Sequence, residues 1–157
     1  DYSMSFWSSL FGKASPATRH IAHRGGLVEF DVPARWVEED EGGTSAFYDD
    51  RANSGTLRLT VLTFERDDDP GADSKVLDGG EVRPDGLEMQ YSLNFAEESG
   101  HELELHQWEI AVPVLPRLLR VAVFTYTILR GQQDDPRIAA ELEMVKELIS
   151  NAVFSRE

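Results

Sequence analysis

Residues 30–64 read FDVPARWVEEDEGGTSAFYDDRANSGTLRLTVLTF, and this stretch decides the fold class. It predicts a three-strand meander with two turns. Pro33 ends the strand that closes at Val32, because proline lacks a backbone N–H and holds φ near one value. Trp36 restarts the apolar line. Gly42-Gly43 and the run from Asp49 to Gly55 supply left-handed conformers and side-chain-to-backbone bonds that reverse the chain. In residues 56–64, Leu57, Leu59 and Val61 share one face, while Arg58 and Thr60 precede Leu62 and Phe64 on the other. The second face of this strand is therefore expected to become buried towards its end.

Downstream, Glu65-Arg66-Asp67-Asp68-Asp69-Pro70-Gly71 opens a long acidic connection that runs to Pro84-Asp85-Gly86. It lacks the alternating oxygen ligands, sixth-position glycine and twelfth-position glutamate of a calcium loop, so it reads as a solvated loop. From Leu87 the alternation resumes, with Leu87, Met89, Tyr91, Leu93 and Phe95 on the face expected to be core. In the next strand the parity slips between Leu105 and Trp108, and a bulge near His106-Gln107 would keep both apolar sets inside. Glu102 and Glu104 then fall on a solvated face. Residues 113–116, Pro-Val-Leu-Pro, read as a loop before residues 118–129, which are apolar on both faces and so belong at the centre of the sheet. Asp135 and Pro136 are suited to the N-cap and first position of a helix, along which Ile138, Leu142, Val145, Ile149 and Ala152 form one stripe.

Upstream, Phe6, Trp7, Leu10 and Phe11 fall along one side of a short amphipathic helix, with Gly12 as its stop and Ser15-Pro16 as a linker. The stretch is too short to span a bilayer and lacks a basic n-region, so it is not read as a secretory signal. Met4 reads as the native start. The domain plan is an N-terminal segment and linker over residues 1–17 and a single α+β domain over residues 18–157, built on an antiparallel sheet of about six strands. The C-terminal helix and the short N-terminal helix cover that sheet.

Composition bounds the function. The chain has 157 residues, enough to bury a core without a metal or disulfide, and no cysteine, which removes disulfides, thiolate zinc sites and cysteine nucleophiles. Its 29 acidic and 15 basic residues give a net charge of -14, which repels nucleic acid and anionic membranes. His20 and His23 lie three apart, and His101 and His106 lie on opposite faces of a strand, so no zinc-ligand spacing is present. GxSxG, GxxxxGK[ST] and GxGxxG motifs are absent. No catalytic, cofactor-binding or metal-binding residue is assigned from the sequence, and no cofactor is expected.

The strand ending in Val32-Pro33, the following Trp36, the aromatic pair Phe47-Tyr48, the strand over residues 56–64 and a last helix running into Ala152-Val153-Phe154 resemble the Mog1/PsbP-like sandwich. The resemblance covers most of residues 26–154 and implies a mostly non-catalytic role, with binding to a GTPase in one branch of the family and to photosystem subunits in another. No functional residue transfers with it. The expectation is a cytoplasmic protein-binding or assembly module of bacterial type. Its partner is a protein, of basic character to suit the acidic surface, and self-association can run through the N-terminal segment. Phe6, Trp7, Leu10, Phe11, Val114 and Leu115 are the candidate partner-binding residues, as apolar groups rimmed by charge. The alternative is a hydrolase or small-ligand-binding protein.

Overall fold

The computed structural model describes residues 17–51, 53–66, 76–114 and 116–157. Among them are ten strands and one α-helix, in the order β1 (Thr18–His23), β2 (Val28–Pro33), β3 (Val37–Asp40), β4 (Thr44–Tyr48), β5 (Thr56–Glu65), β6 (Glu81–Val82), β7 (Glu88–Glu98), β8 (His101–Val114), β9 (Leu118–Leu129), α1 (Pro136–Asn151) and β10 (Val153–Phe154). The class is α+β with antiparallel pairing throughout, but the strands divide between two sheets. The larger has seven strands in the order β3-β4-β5-β9-β8-β7-β6 and the smaller has three in the order β1-β2-β10, in place of the single sheet of about six.

The predicted meander is β3-β4-β5. Pro33 and Trp36 mark the point where the chain leaves the small sheet for the large one, through a turn closed by the Trp36 N–H on the Pro33 carbonyl at 3.0 Å. Gly42 and Gly43 take φ values of 74° and 100° in the β3–β4 turn, where a side chain would be strained. Gly55 answers a different demand. A Cβ there would lie 2.5 Å from the Tyr126 ring, so the close approach of β5 to β9 requires its absence.

One contiguous core joins the layers. Leu57, Leu59, Phe124, Tyr126 and Ile110 of the large sheet meet Val28, Phe30 and Val32 of the small sheet and Ile138, Val145 and Ile149 of α1. Phe30 bridges the sheets, edge-on to Phe47 at 5.4 Å and to Phe124 at 5.5 Å, an arrangement that aligns the positive ring edge with a negative face. Trp36 is buried at the margin of this core, as an anchor of the meander. The helix begins as its sequence predicts, with the Asp135 carboxylate accepting from the Arg137 N–H at 2.9 Å and Pro136 in the first turn. Its C-terminus is held by the buried Arg83, which donates to the carbonyls of Ile149 and Ala152 at 3.0 Å each and lies over the Phe154 ring. The Ile149 carbonyl also accepts from the Ala152 N–H at 3.2 Å, so the arginine adds a second donor there and serves the Ala152 carbonyl just past the helix end.

β9 is central as its sequence predicts, and its outer residues Leu119 and Val121 pack with Ala111 under Val76 and Leu77. Other expectations are corrected. The outer face of β5 does not follow suit, because Leu62 and Phe64 remain about half exposed. The register of β8 against β7 and β9 runs unbroken from His101 to Val114, so there is no bulge at His106-Gln107. Leu103 and Leu105 thus lie on the outer face, and Glu104 joins His106 and Trp108 inside. Val114 belongs to β8 and is buried, since β8 continues through Pro113 beyond its last β7 partner, Ala111. It is therefore not part of an exposed loop. Leu115 and the N-terminal residues Phe6, Trp7, Leu10 and Phe11, with the helix expected there, lie outside the described residues.

Candidate functional site

The inner face of the large sheet is not covered to its end. The small sheet lies over the β4 and β5 side, where His23 reaches Ser45 at 3.1 Å and Arg24 reaches the Val61 carbonyl at 3.2 Å. Helix α1 lies over β9, where Glu141 accepts from the Tyr126 hydroxyl at 2.7 Å. Of β7 only Leu87, just before its start, and Met89 join the core. Tyr91, Leu93 and Phe95 share the inner face with their β8 partners Trp108, His106 and Glu104, yet are 46%, 43% and 56% exposed. The sequence places them on the correct face and misjudges their cover.

Beside this stripe the structure assembles a polar chain that alternation alone does not announce. The Glu104 carboxylate is 2.8 Å from His106 Nε2, and the Tyr91 hydroxyl is 2.6 Å from His106 Nδ1. With Glu104 ionised, Nε2 carries the proton and donates it, leaving Nδ1 to accept from Tyr91. Glu104 and His106 are buried, and the imidazole lies among the Tyr91, Trp108 and Tyr126 rings. Burial pushes the Tyr91 hydroxyl above its ordinary value, against the pull of Lys146 and with a push from Glu104. A protonated tyrosine donating to a histidine that a glutamate orients is a proton relay in form. The unbroken period of two through Glu102, Glu104, His106, Trp108 and Ile110 was the sequence signal for it.

Two further features frame the stripe. Across the sheet edge, β6 pairs only with Glu88 and Met89, so among the described residues the outer backbone of β7 from Gln90 to Glu98 has no strand partner. At its far end Glu97 and Glu102 stand opposite each other on the inner face, and Arg130 spans from Glu102 at 3.7 Å to a position over the Phe95 ring.

The remaining histidines and buried charges lie elsewhere. His20 is exposed on β1, with Nε2 2.9 Å from Glu29 and Nδ1 2.8 Å from Asp31, and these bonds hold its pKa above the ordinary value. His23 is buried and pushed below the ordinary value, by desolvation first and by Arg24 second. Asp49, expected in a turn, is buried with Oδ2 2.7 Å from both Arg35 and Arg51. Desolvation would raise its carboxyl, but the hydrogen bonds from the two guanidiniums and the Arg51 N–H outweigh it and the pKa falls below the usual range. Among the described residues no group of three or more histidines and acids is arranged to hold a metal, and no helix is long and apolar enough to cross a membrane.

Two solved structures share this architecture. A crystal structure from Bacteroides thetaiotaomicron VPI-5482 superposes with a TM-score of 0.56 at 19% identity over 88% of this chain, which spans about half (49%) of that protein. LpqN, described as involved in cell envelope biogenesis of Mycobacterium tuberculosis, superposes with a TM-score of 0.56 at 13% identity over 94% of this chain and 96% of its own. Likeness at such identity shows the fold. No known family matches the sequence, and no curated protein does.

Proposed function

We propose that this domain is a non-catalytic protein-binding or assembly module that docks its partner on the open half of the large sheet. The observation that carries the reading is Tyr91, Leu93 and Phe95 standing about half exposed on one face of an 11-residue strand whose outer edge has no strand partner beyond Met89 among the described residues. An edge of unpaired N–H and C=O groups is a template for strand addition, with main-chain bonds giving affinity and alternate side chains giving specificity. Glu97 and Glu102 at its end, within a chain of net charge -14, favour a partner segment that carries basic groups beside its apolar ones. A Mog1/PsbP-like relationship and a cytoplasmic location belong to the same proposal, the latter to be checked by fractionating host cells. Self-association through the N-terminal apolar cluster is a further part, checked by sedimentation.

The test compares tagged wild-type chain with Leu93→Lys and Phe95→Lys in host extract. Both sites are exposed, so melting is expected to be unchanged while the co-purifying partner is lost. Retention of the same partner by both variants would remove the stripe from the reading.

A hydrolase is the second reading, favoured by the hydrogen-bonded Tyr91, His106 and Glu104. A screen of generic ester, phosphate and glycoside substrates with wild type and His106→Gln decides between them. Turnover that disappears in the variant displaces the binding module.

A further inference from the structure

We infer that the cleft between α1 and the Pro33–Trp36 turn binds a small amphiphilic anion, with an apolar body against the cleft walls and one anionic head on its arginines. The cleft has a volume of about 560 Å³, within the range of roughly 300–1,000 Å³ typical of small-molecule sites. Its apolar lining comes from Pro33, Ala34 and Trp36 on one side and Ala140 and Met144 of α1 on the other. Arg35, Arg51 and Arg137 also line it, three of only 15 basic residues in a strongly acidic chain. That concentration needs a local cause.

Ion pairing inside the protein accounts for only part of it. The buried Asp49 serves two guanidiniums, accepting from Arg35 at 2.7 Å and from Arg51 Nη2 and Nε at 2.7 and 2.8 Å, so one positive charge is left over. Arg137 has Asp135 no closer than 4.0 Å. The other acid in the lining, Glu141, already accepts from the Tyr126 hydroxyl, the Gly55 N–H and Ser54, and so presents little free acceptor capacity to the cleft. Each guanidinium carries five N–H donors, and all three side chains are more than half exposed. Among the lining residues three guanidiniums face two carboxylates, and N–H donors are in surplus where acceptors are used up.

The two properties together select the ligand. A neutral apolar molecule would leave the guanidiniums unused, and an inorganic anion would leave the Trp36 and Met144 walls unused. A cation meets exposed guanidiniums and carboxylates whose acceptors are already used. A carboxylate, sulfonate or phosphate monoester on an aromatic or acyl body satisfies both, with charge-assisted bonds fixing the head.

The experiment is a fluorescence titration of the full chain with two dyes that share an arylnaphthylamine body, anilinonaphthalene sulfonate and neutral phenylnaphthylamine. The expected result is saturable binding at one site, at least about tenfold tighter for the anionic dye. Arg137→Gln is expected to weaken the anionic dye about tenfold, the worth of one charge-assisted bond, and to leave the neutral dye unchanged. Ala140→Trp, which fills the cleft from an exposed helix position, should abolish both, and Phe95→Ser should alter neither. That last arm separates this cleft from the β7 stripe. Equal affinity for the two dyes, or indifference to Arg137→Gln, would overturn the inference. So would binding that appears only in a full-length Trp7→Ser/Phe11→Ser variant, since Ala17 also lines the cleft and the chain's own apolar segment would then be its occupant.

Discussion

β5 and β7 lie in one sheet and carry the same signal, an apolar residue at every second position on the inner face. In β5 the residues Leu57, Leu59 and Val61 are buried beneath the small sheet, whereas in β7 the residues Tyr91, Leu93 and Phe95 stand about half exposed. Alternation is a property of the strand, set by the pleat, whereas burial depends on which other element lies above it. Here three short strands and a helix of 16 residues cover β4, β5, β9 and the Trp108–Val112 part of β8 and run out before the exposed part of β7. A bare stretch of an otherwise buried face is the kind of surface that marks an interaction site.

The largest expected difference between the two halves comes from truncating aromatic residues. Trp36→Ala, in the covered half, is expected to cost about 3–5 kcal/mol through lost transfer energy and a residual cavity. Phe95→Ala, in the open half, should fall within about 0.5 kcal/mol of wild type, as exposed substitutions do. Urea denaturation of both measures it. Comparable losses would mean that Phe95 is packed in solution and that the open half is covered there.

Arg83 and Arg130, each lying over a phenylalanine ring, give the next contrast. Arg83→Met removes donors to three backbone carbonyls at the end of α1 and should cost about 2–3 kcal/mol, in line with charged hydrogen bonds in a buried place. Arg130→Met, at an exposed ring, should cost less than about 0.5 kcal/mol. Hydrogen exchange at the last turn of α1 would report the first loss locally, and unchanged protection there would show that water serves the carbonyls equally well.

Acid titration sharpens the comparison from another side. The Asp49 carboxyl has a folded pKa below its unfolded value of about 3.9. Its contribution is therefore present above pH 4 and is lost as pH falls through the folded pKa. Asp49→Asn should lower stability at neutral pH and flatten the decline below pH 4. An acid limb identical to wild type would show that the arginine pair gives this carboxylate no advantage. His20 has the opposite sign and the smallest expected effect. Its folded pKa is raised, so its contribution is complete below about pH 6.5 and fades as pH rises through the folded value. His20→Gln should remove that slope, and melting followed from pH 5.5 to 8.5 checks it.

Local sequence signals carry the antiparallel α+β class, the β3-β4-β5 meander, the central place of β9 and the start of α1. These rest on local causes: prolines without N–H groups, glycines at positive φ, a capping aspartate and periodicities of 2 and 3.6 residues. Contacts between distant segments bury Glu104 and His106, close α1 with Arg83 and gather two arginines on Asp49 at a cleft. Each of these joins groups from separate stretches of chain, with Arg83 and its acceptors 66 to 69 residues apart. The His106 region shows the reason most plainly. A bulge there would bring Leu103 and Leu105 into the core, where apolar side chains ordinarily go. The sheet kept its register instead, because each strand of an antiparallel ladder is held by its neighbours at every residue. The energy of that continuous pairing, together with the mutual satisfaction of Tyr91, His106 and Glu104, is written in no single segment.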